Sequence, residues 1–355
     1  PKLLKIRLAF IMLAVFLPAL YAQADPPEIG GCEIFPASNP WNMDVSSAPV
    51  DPNSANYIAN INANGADYVH PDFGSNPDYG IPYVTVPGSQ PLVTVNFEVE
   101  DESDLEQYPI PADAPVEAGD DRHVLVINTG NCKLYELYAA NYNSGNNTWD
   151  AYSGAIWDLT SPVVQQRPLG WTSADAAGLP ILPGLARCDE AMSGTINHAF
   201  RFTVNETRDQ YIYPASHRTT GNSGANYPPM GLRFRLKANY SEAGFTGQAL
   251  AIVKALKKYG MMLADNGSNW YISGETNPGC WDDNDEDGDE HDLNQLKDIP
   301  GTAFEVVSII TPAAASPVQH YYTTPNALLT WSDVTWATGY QIQVSGNALF
   351  TGAPI

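Results

Sequence analysis

Basic residues are scarce. Lys and Arg number 17 against 40 Asp and Glu in 355 residues, a formal charge of -23. Nucleic-acid and anionic-membrane binding rest on Lys and Arg, so this balance argues against both partners. Long apolar runs are also lacking. The one sustained run, 8–20, is broken by Pro18 and is shorter than the roughly 20 residues of a membrane span. Cysteine is limited to four, with no C-x-x-C spacing, which argues against a zinc ribbon. There is no G-x-S-x-G elbow, no H-E-x-x-H, no Walker loop and no G-x-G-x-x-G after a strand. Serine-hydrolase, zincin, kinase and dinucleotide-binding readings therefore have no motif behind them.

What is present points outside the cell. Lys2, Lys5 and Arg7 precede the apolar run, and Ala22-Gln23-Ala24 fits a small-residue cleavage site. Residues 1–24 read as a signal peptide, with Asp25 as the first mature residue and no membrane span after its removal. The first residue is Pro1 rather than Met, which reads as a piece of a longer chain. Four cysteines in an exported chain imply two disulfides, and of the three pairings the favoured one is Cys32–Cys132 with Cys188–Cys280.

The chain is rich in Asn, Gly, Ser, Thr, Tyr and Trp, a palette for strands and polar loops. The expected fold is mainly β, sandwich- or jelly-roll-like, over 25–310. Residues 123–127 and 133–137 read as a hairpin about Asn128–Asn131. Residues 261–274 read as a second hairpin turning at Asn266-Gly267. A short helix is expected over 54–61 with Ser54 as cap. One amphipathic helix stands out at 246–259, with Ala249, Ile252, Val253, Leu256 and Tyr259 on one face, Thr246 as cap and Gly260 just past its end.

Residues 311–318 have the composition of a linker. Beyond it, NALLTWSDVTWATGYQIQVS within 319–355 resembles the opening of a fibronectin type III domain, an Ig-like β-module cut short. The strings IFPASNPWN, HPDFG, DRHVLVIN, GWTSADAAGLPILPGL, INHAFRF, PPMGLRFRLKA and YGMMLADNGSNWYISG resemble a recurring block of large secreted bacterial multidomain proteins. That resemblance implies an exported, multidomain setting and carries no catalytic residues with it.

Candidate chemistry lies in carboxylates set among aromatics. Glycoside cleavage uses two carboxylates, one protonated and one ionised. Asp158 follows Trp157, and Asp175 lies in a small-residue loop near Trp171; Asp189, Glu190 and Asp265 are further candidates. The bland reading of such aspartates is a cap or an Asx turn. His198 and His217 would converge if strands 196–204 and 211–214 paired, and with His70 or His123 they would form a metal or acid–base site. Arg233, Arg235 and Lys237 alternate on one strand face, suited to an acidic sugar or to pairing with the chain's own carboxylates. Asp283, Asp285, Asp287 and Gly288 fit D-x-D-x-D-G, with Asp289 at the next ligand position. Asn294 stands where an EF-hand has its Glu, and Asp292 is the substitute, so calcium is the cofactor this loop would hold. The resulting expectation is a secreted carbohydrate-active protein, a hydrolase or lyase acting on polysaccharide. A glycan-binding or surface-adhesion module is the alternative, and a histidine-centred metal enzyme a third reading.

Overall fold

The computed structural model describes residues 25–283 and 292–308. The expected leader, the 311–318 linker and the fibronectin-like 319–355 stretch lie outside these residues, as do Asp285, Asp287 and Asp289.

The fold is mainly β with few helices. A short antiparallel pair, β1 (Glu28–Ile29) and β2 (Cys32–Glu33), opens the domain. A four-stranded sheet contains β4 (Tyr83–Val86), β6 (Val124–Asn128), β7 (Lys133–Tyr138) and β10 (Ser153–Asp158), in the order β10-β7-β6-β4. A three-stranded sheet holds β5 (Val95–Phe97), β8 (Asn141–Asn143) and β9 (Thr148–Ala151). The largest sheet is built from β3 (His70–Asp72), β11 (Phe200–Val204), β12 (Arg233–Leu236), β13 (Met261–Asn266), β14 (Tyr271–Ser273) and β15 (Phe304–Val307), in the order β15-β12-β13-β11-β14-β3.

The first expected hairpin is present as β6 and β7, and the Asn128 side chain accepts from the Gly130 N–H at 2.9 Å to pin its turn. The second is not a hairpin. β11 lies between β13 and β14, so the 267–270 turn crosses the end of β11, with Gly267 N–H on the Val204 carbonyl and Trp270 N–H on Thr203. The 211–214 segment does not pair with β11 either; Tyr211 bridges Met230 instead. Local sequence marked both turns, but at the second the strand inserted between its arms was fixed by long-range packing.

Helix α1 (Ser54–Ala63), helix α2 (Cys188–Ser193) and helix α3 (Gly247–Lys258) complete the frame. α3 buries Ala249, Ile252, Val253 and Leu256, as its spacing requires. Gly260 follows at φ +68°, where a Cβ would sit 2.0 Å from the Phe234 carbonyl oxygen, so only glycine fits. One face of the large sheet is aromatic: Phe202, Phe234, Trp270 and Phe304 pack ring to ring, and the Trp270 indole donates to Asn62 of α1 at 2.8 Å. Two disulfides join Cys32 to Cys132 and Cys188 to Cys280, the pairing the sequence favours.

Candidate functional site

The opposite face of the large sheet is polar, and its register lays out a site. One row across neighbouring strands runs Asp72, Ser273, Arg201, Met262, Arg233. The next runs His70, Tyr271, Thr203, Asp265. Directly opposed residues share a face, so each row presents its side chains to the same side.

Asp265 reaches that side through a β-bulge. β11 and β13 pair Arg201 with Met262 and Phe202 with Leu263, then Thr203 with Asp265, leaving Ala264 as the extra residue. Strict alternation would put Asp265 on the Leu263 side. The bulge returns it to the side of Arg201. The Ala264 carbonyl accepts from Ala177 N–H at 2.8 Å, which ties the bulge to the 173–178 loop.

That loop also carries Asp175. Its buried carboxylate takes the Arg201 guanidinium by both Nε and Nη2, at 3.0 and 3.1 Å. Arg201 Nη2 also reaches Asp265 Oδ2 at 3.2 Å, and Nη1 donates to Ser273 Oγ at 2.6 Å. One buried guanidinium thus lies between two carboxylates of different exposure. Asp175 is sealed, whereas about a quarter of the Asp265 side chain meets solvent. Burial, then the neighbouring Asp175 charge, push the Asp265 carboxyl up to about 7, against the pull of Arg201. Burial likewise raises Asp72, opposed by Arg201 and reinforced by Glu117 and Asp121.

A second dyad borders the cluster from the four-stranded sheet. His123 Nδ1 donates to Glu117 Oε2 at 2.5 Å and Nε2 donates to the Ala174 carbonyl at 3.0 Å. Burial disfavours charge on both groups, but their mutual hydrogen bond and attraction outweigh it: Glu117 is lowered and His123 raised. Glu117 also feels Arg201, as Asp265 does. Tyr138 stands beside His123, with ring centres 5.5 Å apart, and meets Tyr152 edge-on at 5.7 Å. Tyr138 is raised by burial, then by Asp121 and Asp265. At the other end His70 stacks on Tyr271 at 4.2 Å. The candidate site is therefore Asp265 over Arg201 and Asp175, rimmed by Asp72, Glu117 and Asp121, with partly exposed aromatic pairs on either side.

A raised carboxyl is not by itself a site. Glu136 is also pushed up to about 7 by burial, despite hydrogen bonds from Ile181 N–H, Leu182 N–H and the Trp157 indole. It has no exposed surface and acts as an internal strut.

Most sequence candidates take other roles. Asp158 is exposed and accepts from Thr160 N–H and Oγ1 at 2.9 and 2.6 Å, an Asx turn. Trp157 is only 1% exposed, so it is no sugar platform. Trp171 is half-buried, and the Arg167 guanidinium lies over both its ring and that of Trp157, at 5.5 and 5.9 Å. Glu190 bridges Arg187 at 2.6 Å and His198 Nε2 at 3.0 Å, while Asp189 accepts from Glu190 N–H. Arg233 and Arg235 are buried, not presented to a ligand: Arg233 donates to the Tyr259 and Pro40 carbonyls, and Arg235 pairs with Glu305 at 2.7 Å. Burial lowers Arg233 to about 9.

The histidines do not converge into a metal site. Both ring nitrogens of His123, and both of His198, lie within hydrogen-bond distance of protein oxygens, so neither ring turns a nitrogen toward a shared metal position. His217 Nδ1 donates to the Ala176 carbonyl at 2.7 Å. Among the described residues no group of three His, Cys, Asp or Glu is placed to hold a metal. Of the acidic loop, Asp283 accepts from Ser75 N–H and Asp292 accepts from Gln248 N–H at 2.9 Å and Thr246 Oγ1 at 2.5 Å.

Sequence reasoning named Asp175, Asp265, His70 and His123 but not their grouping, and it gave no role to Asp72, Glu117 or Tyr138. The HPDFG string was a usable signal: a strand carrying His and Asp two apart puts both on one face. No family model, no curated protein and no solved structure matches the chain.

Proposed function

We propose that the protein is a secreted carbohydrate-active enzyme that cleaves polysaccharide at the Asp265 cluster. Asp265 is the protonated carboxyl that donates to the departing oxygen, and Glu117, kept ionised by His123, is its counterpart. The observation that carries this reading is the bulge. It brings a carboxyl with a midpoint of about 7 to a partly open position beside a fixed Arg201–Asp175 pair. Tyr138, Tyr152, Tyr271 and His70 offer ring faces for sugar on either side. Export is supported by the two disulfides together with the signal-like segment.

The test is release of new reducing ends from a panel of polysaccharides by wild type, D265N and E117Q. Wild type should cleave at least one polymer. D265N should lose about 100-fold or more in kcat, the scale of a general acid. The wild-type rate should fall as pH rises through about 7, because Asp265 then loses its proton. Full activity in D265N would remove the assignment. The same aromatic pairs also suit a non-catalytic glycan-binding module, and glycan binding without cleavage by wild type would select that reading.

A further inference from the structure

Asparagine precedes glycine at two places, Asn64-Gly65 and Asn266-Gly267. In such a pair the side-chain amide carbon lies within reach of the next backbone nitrogen. Glycine has no Cβ to shield that nitrogen or restrict its approach. We propose that Asn64 is a modification site: it deamidates through a succinimide formed with Gly65, and the change loosens helix α1 from the large sheet.

The fold treats the two pairs oppositely. Asn64 closes α1, with φ −113° and ψ 22° and its own N–H on the Ile61 carbonyl at 3.1 Å. It is half-buried, and Gly65 is exposed. Among the described residues, neither the Asn64 side-chain amide nor the Gly65 N–H has a hydrogen-bond partner. Nothing therefore has to be broken before the two meet. Asn266 is held on every side. Its Oδ1 accepts from the Thr207 and Thr219 hydroxyls, its Nδ2 donates to the Val204 and Asn205 carbonyls, and the Gly267 N–H is bonded to the Val204 carbonyl at 3.0 Å.

The reaction needs only water. The Gly65 nitrogen loses its proton to solvent base and bonds to Asn64 Cγ, and the side-chain amide nitrogen leaves as ammonia. Water then opens the ring. Opening at Cγ gives aspartate; opening at the main-chain carbonyl gives isoaspartate, whose chain runs through Cγ. Either product puts a carboxylate at the C-terminal end of α1, where the helix dipole disfavours an anion. The isoaspartyl form also frees the carbonyl that now receives Asn205 Nδ2 at 3.0 Å. That bond is one strand of a staple. Asn269 Nδ2 donates to the Ile61 carbonyl at 2.6 Å, Asn269 Oδ1 accepts from Asn205 N–H at 2.7 Å, and Asn62 Oδ1 accepts from the Trp270 indole at 2.8 Å. The staple fastens the last turn of α1 to the 267–270 turn across the end of β11. A Cβ on Gly65 would lie 2.6 Å from Asn269 Nδ2, so a lengthened chain there presses on the staple itself.

The test is timed incubation of the full protein in warm, mildly alkaline buffer, followed by chymotryptic mapping of the peptides ending at Tyr68 and Trp270. Acid forms should accumulate at Asn64 at least about tenfold faster than at Asn266. In denaturant the two rates should converge, because the restraints on Asn266 are gone. The aged protein should melt lower than the fresh one, whereas aged N64Q, whose longer side chain closes a ring far more slowly, should keep its melting temperature. Equal rates at the two sites in the folded protein, or conversion at Asn64 only in denaturant, would overturn the site. An equal fall in melting temperature in aged N64Q would overturn the link to α1.

Discussion

At the scale of single residues, the site is a matter of which carboxylates are sealed and which are open. Asp175 and Arg201 are sealed together, so breaking the pair strands a buried charge. D175N is expected to cost about 3–5 kcal/mol, seen as a clear fall in melting temperature, and R201M a similar amount. Asp265 should behave in the opposite sense. Its folded midpoint is raised from 3.8 to about 7, so its charge opposes folding increasingly as pH rises between those values. D265N should therefore be neutral near pH 4 and stabilising near pH 8, by up to about 4 kcal/mol for a midpoint raised from 3.8 to about 7. The Glu117–His123 dyad has its own window. Lowered Glu117 contributes stability above 4.5 that is lost as pH falls through its folded midpoint. Raised His123 contributes stability below 6.5 that is lost as pH rises through its folded midpoint. The E117Q penalty should thus peak between those two values, and a penalty unchanged across pH would contradict the pairing. None of this could be read from residue type. Asp158 and Asp265 both sit at strand ends among aromatics in sequence, yet one folds into an Asx turn and the other into an ion cluster.

At the scale of elements, sequence periodicity located α3 closely because its apolar face repeats over three turns. It also placed Thr246 at the N-cap, but not the side chain that caps the first turn. Thr246 precedes the helix, but the carboxylate that receives the first-turn N–H is Asp292, 44 residues away from Gln248. Asp292 reads in the sequence as part of a calcium loop, and its two oxygens are instead occupied at the α3 N-terminus. D292A should lower stability by about 1 kcal/mol, the worth of a helix cap, and by the same amount with calcium or EDTA present. A penalty seen only with calcium would restore the metal reading. The bulge at Ala264 is likewise invisible to pattern analysis. MMLADN looks like a regular strand whose polar end could point either way. Only pairing with β11 shows that one residue is extra and that Asp265 turns toward Arg201.

At the scale of the whole molecule, composition was informative about class and silent about chemistry. The acidic, Asn- and aromatic-rich sequence pointed to a mainly β chain, and the cysteines to two bonds spanning 100 and 92 residues. Bonds closing loops of that length should each contribute about 4–5 kcal/mol by restricting the unfolded chain, so reduction should lower the melting temperature sharply. The site itself is a long-range product. Its members come from β3, the 117–123 segment, β7, the 173–178 loop, β11 and β13, which meet only when the polar face of one sheet closes against the end of another. The account turns on Asp265 holding a proton in that junction near neutrality. Its carboxyl carbon can be titrated by NMR, with the resonance assigned by its loss in D265N. The account predicts a midpoint of about 7. A midpoint in the ordinary aspartate range near 3.8 would contradict it.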